Sequence, residues 1–201
     1  MRVAILGGTG KFGKALARRL AEAGDEVVIG SRDENRAREI AAELGVRGAA
    51  NDQVGKVDLI VLAVDAGAAL STARSLRFDA PLLSVAAELE FLGGTARPVP
   101  QPRSLAERVA QVVEVPVAAG LHTIAALKLA RGKPDEDAFV CGDDGEAKRL
   151  AIELAVKIVD GRVIDAGPLD TARALEAMTA VLLNVNRAYK THAGLRVTGI
   201  E

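Results

Sequence analysis

The chain has 201 residues, 26 basic and 27 acidic, for a net charge of −1, which leaves no electrostatic footprint for nucleic acid or a membrane surface. Hydrophobic residues make up 49% and aromatic ones only 2%, so a core is available but a nucleic-acid platform built on aromatic stacking is not. The length suits one large α/β domain, or one domain with a small cap, and the two His and single Cys are too few and too scattered for a zinc site.

The chain opens on an apolar strand, Met1–Leu6, which runs directly into Gly7-Gly8-Thr9-Gly10-Lys11-Phe12-Gly13. An amphipathic helix follows, with Phe12, Leu16 and Leu20 on one face and Lys14, Arg18 and Arg19 elsewhere. This strand–turn–helix context makes the G-x-G-x-x-G spacing of Gly8, Gly10 and Gly13 a dinucleotide-binding fingerprint. In that reading Gly8 permits the tight turn, Gly10 lets the backbone approach a pyrophosphate, and Gly13 lets helix and strand pack closely. The free N–H groups at the helix N-terminus, from Lys11 and Phe12 onward, face the phosphates. Thr9, inside the turn, is placed against phosphate or beside the nicotinamide.

The first helix is expected to end near Ala23-Gly24-Asp25, and Glu26–Gly30 to form the second strand. An NAD site usually has a carboxylate at the end of this strand. Here the end is Ser31-Arg32, with Arg36 after it, a hydroxyl and guanidinium groups that suit a 2′-phosphate and hence NADP(H). Asp33 and Glu34 are expected to favour the start of the next helix, Glu34–Leu44, by opposing its dipole.

Val57–Val64 is a near-continuous apolar run, as for a buried parallel strand, with Ala63 and Val64 at its carboxyl end assigned to the cofactor rim. Asp65-Ala66-Gly67 reads as a loop, Ala68–Leu76 as a helix and Pro81–Val85 as a strand. The stretch from Phe91 to Pro102, with Gly93-Gly94 and three prolines, reads as the longest irregular and most mobile loop. Ser104–Val113 is a helix with Ser104 as N-cap and Glu107 at the capping-box position. Val115–Gly120 is a strand leading into Leu121-His122-Thr123-Ile124. A further β-α-β passage covers Ala138–Cys141, Glu146–Val159 and Arg162–Asp165. Cys141 is expected as a buried strand residue, and Asp143 and Asp144 as helix-capping residues. After Gly167-Pro168, a last helix spans Asp170–Tyr189.

This alternation predicts an α/β protein of the Rossmann type, a doubly wound, mainly parallel sheet with a C-terminal helical cap. Residues 1–168 form the NADP-binding domain, and residues 169–201 a helical segment that completes a second-ligand site and a possible dimer contact. No run approaches the ~20 apolar residues of a membrane span, and the immediate first strand leaves no room for a signal peptide. A soluble, cytoplasmic protein is expected, acting on small molecules without nucleic acid or membrane.

With these segments placed, the chain resembles the NADPH-dependent F420 reductases (F420H2:NADP oxidoreductases) over nearly its whole length. The resemblance rests on Leu6–Gly10 with Gly13-Lys14, Ile29–Arg32, Leu121–Ile124, Val140–Asp144 and Asp165–Leu169. It implies hydride transfer between NADP(H) and the deazaflavin coenzyme F420, and a homodimer. It puts Thr9, Ser31, Arg32 and Arg36 on NADP, and His122, Thr123, Ile124, Arg173 and Thr179 near the deazaflavin. His122 is the candidate donor to charge developing on the deazaflavin, with Thr123 or backbone N–H groups as alternates and a structural histidine bonded to backbone as the other reading. Arg173 meets an acidic cofactor tail or pairs with Glu176 on the surface. His192 is read as solvated.

Three positions depart from the family pattern. Asp65-Ala66-Gly67 stands where proline and a large residue are usual, Ser84–Glu88 lacks a proline turn, and Ala177 replaces a small hydroxyl. FAD or FMN is therefore kept as an alternative second ligand. Two rival functions fit the same nucleotide half: an NADPH-dependent imine or carbonyl reductase, similar to pyrroline-5-carboxylate reductase at the N-terminus, and a non-catalytic NADP sensor.

Overall fold

The computed structural model describes residues 1–200. Its strands are β1 (Arg2–Leu6), β2 (Glu26–Ser31), β3 (Arg47–Ala50), β4 (Leu59–Leu62), β5 (Leu82–Ser84), β6 (Leu89–Leu92), β7 (Thr95–Pro98), β8 (Val117–Gly120), β9 (Ala138–Gly142) and β10 (Val163–Asp165). The helices are α1 (Lys11–Glu22), α2 (Glu34–Leu44), α3 (Ala66–Ser75), α4 (Leu105–Ala110), α5 (Ala126–Arg131), α6 (Gly145–Val156) and α7 (Ala172–Tyr189). Eight strands form one sheet in the order β10-β9-β8-β5-β4-β1-β2-β3, and β6 and β7 form a separate hairpin.

Side chains alternate across the sheet, so each strand feeds two cores. On one face Val3 and Ile5 pack with Leu16 and Leu20 of α1, Ala37 and Ala41 of α2, Leu129 of α5 and Leu150 and Leu154 of α6. On the other, Ala4 and Leu6 pack with Ala69 and Ala73 of α3, Leu105 and Val109 of α4 and Leu175 of α7. Helices on both faces leave the central strands without a polar side, which is why β1 and β4 read as unbroken apolar runs.

Every neighbouring pair in the large sheet is parallel except β8 and β9, which are antiparallel with Ala119 opposite Cys141. The reversal has a topographic result. The carboxyl ends of β1, β2, β4, β5 and β8 share one rim, whereas β9 begins near that rim and delivers Gly142, opposite Ala118, to the other. The family-like segments Val140–Asp144 and Asp165–Leu169 therefore join at the rim away from the ends of β1 and β2. There Gly142 donates to the Gly167 carbonyl, Asp143 accepts from Leu169 N–H at 2.9 Å, and Asp144 caps α6 through Ala147 N–H at 2.8 Å.

The segment expected to be irregular, 91–102, differs. Its first half is the second part of an antiparallel hairpin, in which Leu92 pairs with Thr95. Gly93 (φ +57°) and Gly94 (φ +79°) both take left-handed conformations, so the glycines make the two-residue hairpin turn and the prolines follow it. The polar surroundings of this exposed hairpin hide its alternation. Short β3 and α5 were not expected at all: β3 is Arg-Gly-Ala-Ala, with no β-branched residue, and α5 has only six residues.

Candidate functional site

Backbone bonds tie the glycine loop to β2 and close it: Gly7 N–H donates to Gly30 O at 3.1 Å, and Gly10 N–H to Gly7 O at 2.9 Å. The left-handed residue of the turn is Gly7, at φ +83°, rather than Gly8. Gly8 is held to hydrogen by packing instead, since a Cβ there would lie 2.8 Å from Ile29 Cγ2. At Gly13 a Cβ would meet Gly7 O at 2.5 Å, so α1 can start against the turn only without a side chain. Gly10 is the N-cap of α1 and supplies no side-chain acceptor, which leaves the first-turn N–H groups, from Lys11, available to an anion. Lys11 is exposed, and Phe12 is half-buried and packs on the core.

A cleft of about 280 Å³ opens over this turn. It brings together Thr9, Gly10, Ser31, Arg32, Arg36, Ala63 and Val64, all expected at the cofactor, and Asp65 at the end of β4. Asn51 and Thr72 also line it and were not expected. Asn51 follows β3, and its Oδ1 is buried with no hydrogen-bond partner, a feature that only the fold reveals. Asp33 is turned away from any ribose: it caps α2 by accepting from Arg36 N–H at 3.1 Å, while its own N–H donates to Ser31 Oγ at 3.2 Å. Arg32 and Arg36 are exposed and have no ion-pair partner among the described residues. Two guanidinium groups without ion-pair partners, beside a hydroxyl, could hold a phosphate.

The turn after β8 carries the second set. Leu121 is almost fully buried yet sits at φ +64°, a strained conformation for a branched side chain, and Ile124 N–H closes the turn on Leu121 O at 3.0 Å. His122, Thr123 and Ile124 are consequently buried rather than displayed on the cleft. Both ring nitrogens of His122, the Thr123 hydroxyl and the hydroxyl of Ser84, at the end of β5, lack any hydrogen-bond partner. Burial pushes the His122 pKa down to about 4, against a smaller opposing pull from the Ala86 backbone, so the ring is neutral at pH 7. The backbone bond foreseen as a structural role for this histidine does not reach hydrogen-bond geometry. Thr179 of α7 donates its hydroxyl to the His122 carbonyl at 3.0 Å and so holds this turn from behind.

Arg173 and Ala177 share a face of α7, as their spacing requires, and line a second cavity of about 420 Å³ with Ser104, Leu105 and Val99. Arg173 does not pair with Glu176, which is buried and bonded elsewhere. Asn184 brackets Ala96 with two 2.9 Å bonds, and Asn186 accepts from Ala193 N–H. Cys141 is fully buried, with its thiol pushed up to about 12 by burial, and is inert. His192 is exposed.

The expected residues thus fall into three neighbouring groups: the glycine-loop cleft, the buried His122 turn, and the α7 cavity. The family described as "NADP oxidoreductase coenzyme F420-dependent" matches residues 2–88, which span the first of these and Ser84 of the second. The F420-dependent NADP reductase of Methanothermobacter thermautotrophicus is 36% identical, covering 100% of this chain and 96% of its own. That of Methanocaldococcus jannaschii is 34% identical with full coverage of both chains. A crystal structure of a candidate F420-dependent NADP-reductase from Arthrobacter sp. FB24 superposes with a TM-score of 0.85 at 28% identity, covering 99% of this chain and 100% of that one. A 1-pyrroline-5-carboxylate reductase from Streptococcus pyogenes shares the fold at a TM-score of 0.65 and 20% identity, but this chain covers only 65% of it. Both relatives are more than one third identical over the whole length of this chain, and the chain belongs to the family of F420-dependent NADP reductases.

Proposed function

We propose that this protein transfers a hydride between NADP(H) and the deazaflavin F420, as a cytoplasmic homodimer. The observation that carries the reading is the set of unpartnered buried polar atoms on His122, Thr123 and Ser84, close to a cleft fitted for NADP. Buried polar groups without partners are rare because each forfeits about 1–3 kcal/mol. Here they lie at the ends of β5 and β8, where open α/β sheets bind ligands.

The residues fit both groups. For NADP the glycine loop leaves free N–H groups for the pyrophosphate, Arg32, Arg36 and Ser31 hold the 2′-phosphate, and Ala63 and Val64 support the nicotinamide end, with Thr9 beside it. For the deazaflavin, His122, Thr123 and Ile124 form one side, while Arg173 and the cavity beside α7 receive its polar portion, with Thr179 steadying the turn. When bound, the two cofactors supply the redox chemistry, a hydride passing directly between carbons. The protein's part is to align them and keep water away. His122, neutral and in a dry site, donates its one N–H to negative charge that grows during transfer. No side chain needs to act as nucleophile.

Residues 1–168 form the nucleotide-binding part in this proposal, and 169–201 complete the second site. The outer face of α7, where Val181 is 59% and Tyr189 77% exposed, is offered to a second copy. No helix among the described residues is long and apolar enough to cross a membrane. Sedimentation of the wild type and of Val181→Asp tests the dimer: a dimer converted to monomer supports it, and a monomeric wild type removes it.

The deciding experiment is anaerobic oxidation of NADPH by the pure protein with F420, FMN and FAD in turn. Rapid loss of the F420 visible band, with little turnover of FMN or FAD, is expected. Tight NADPH binding with turnover on flavins alone, or on none, would overturn the assignment of the second ligand.

A further inference from the structure

Glu176 is a carboxylate with only 6% of its surface exposed, in the wall of the α7 cavity, and the hydride transfer proposed for this protein gives it no role. Its two oxygens accept from successive backbone N–H groups at the start of α4: Oε2 from Leu105 at 3.0 Å and Oε1 from Ala106 at 3.1 Å. The next N–H, of Glu107, is taken by Ser104 Oγ at 3.0 Å, and Ser104 N–H by Glu107 Oε2 at 2.7 Å. The local capping box thus serves one first-turn donor, and α7 reaches across to serve the other two. α4 has only six residues and cannot hold its own orientation, so this fork decides where Ser104 and Leu105 stand.

The same helix also holds the turn after β8. Three residues beyond Glu176, Thr179 grips the carbonyl of His122. On the adjoining face of α7, Arg173 and Ala177 look into the cavity that Ser104 and Leu105 close. We propose that Glu176 is a positioning residue for the second ligand: by forking onto Leu105 and Ala106 it sets the spacing of α4 from α7, and so the width of the cavity. This rests on the proposal that the cavity receives part of F420.

The surrounding charges are mixed. Burial raises the pKa of Glu176; the Leu105 and Ala106 N–H groups and Arg108 of α4 favour the ionised carboxylate, and Glu88, itself paired to Arg108, opposes it. Glu107 is occupied with Ser104, while Asp170, Arg173 and Arg103 border the cavity. Protonation would turn one oxygen of the fork into a hydroxyl facing an N–H donor, and the clamp would open.

Glu176→Gln keeps the volume but presents an amide nitrogen to one of the donors. Its Kd for F420, read from deazaflavin fluorescence, is expected to rise about tenfold, the size of effect for one or two charge-assisted bonds. KM for F420 should rise with it, while kcat at saturating F420 and Kd for NADPH stay within about twofold. Amide hydrogen exchange at Leu105 and Ala106 should quicken in the variant. In the wild type the protection factors of the same two amides, relative to the intrinsic exchange rate at each pH, should fall on acidification, and in E176Q they should stay constant. If E176Q fails to fold, Glu176→Asp replaces it, with the same split between the two ligands expected. Unchanged F420 affinity, or equal weakening toward F420 and NADPH, would overturn the proposal. A wild type that neither binds nor reduces F420 would instead refute the functional reading, and amide exchange would still report whether the clamp exists.

Discussion

At the scale of single residues, His122 contributes in a state the primary sequence does not display. Its pKa of about 4 lies below the ordinary 6.5, so between these pH values the unfolded chain binds a proton that the native protein refuses. Stability from this source is therefore intact above pH 6.5 and declines as pH falls toward 4, by about 3 kcal/mol in the limit. Denaturant unfolding at pH 7 and pH 5 should show this decline in the wild type, and His122→Asn should flatten it while lowering turnover with F420. The free guanidinium of Arg32 makes a separate prediction. Arg32→Ala should raise KM for NADPH about 10–100-fold, the loss of one or two charge-assisted contacts, and leave any reaction with NADH nearly unchanged. Equal loss with both nucleotides would argue that Arg32 supports the loop and not the phosphate. The residue types at 31, 32 and 36 were legible because a missing carboxylate is visible in the sequence. The unpartnered amide of Asn51 and the left-handed backbone of Leu121 were not, because each arises from contacts across the fold.

At the scale of elements, the nucleotide half could be read apart from the short β3 and the Asn51 turn that follows it. α2 runs from Glu34 to Leu44 as its cap and periodicity require, and the capping box of Ser104 and Glu107 is formed. The largest miss was the β6–β7 hairpin, whose stability is not its own. Isolated hairpins are marginal, and this one is fastened by Asn184, whose amide bonds both the N–H and the carbonyl of Ala96 as another strand would. Since that partner lies 88 positions away, no local pattern announces it. Asn184→Ala should cost about 1–3 kcal/mol and quicken hydrogen exchange across Leu89–Pro98 more than in the sheet. Gly13→Ala tests the loop: with Gly7 O 2.5 Å from the new Cβ, α1 must shift, and NADPH binding should fall sharply while the rest of the sheet persists. Undiminished binding in a calorimetric titration would contradict the packing role given to Gly13.

At the scale of the whole molecule, the reversal between β8 and β9 sends the chain to the rim opposite the cofactor cleft before α7 begins. The family-like segments around Asp143 and Asp165 thus turn the chain at the rim away from the glycine-loop cleft. Beyond α7 the chain is strapped back onto β9 and β10: Asp137 accepts from Arg162 at 2.8 Å and from Val197 N–H at 2.8 Å. The Arg162 pair, aided by these N–H groups, holds the Asp137 carboxyl down to about 2. This stabilisation is complete above the ordinary carboxylate range and is lost as pH falls from about 4 toward 2. Asp137→Asn should therefore weaken the fold at neutral pH and remove that part of the acid transition, as thermal melts between pH 7 and 3 would show. α7 itself, with 18 residues, is about 27 Å long and makes its fixed contacts at Glu176, Thr179 and Asn184 in succession. It consequently tolerates changes of side chain better than changes of count. One residue inserted between Glu176 and Thr179 would turn everything beyond it by about 100°, so that the fork on α4 and the grip on the His122 turn could not both be made. The same insertion between Gly93 and Gly94 would only lengthen a surface turn. Variation in length among related chains should then collect at the hairpin and stop at this helix.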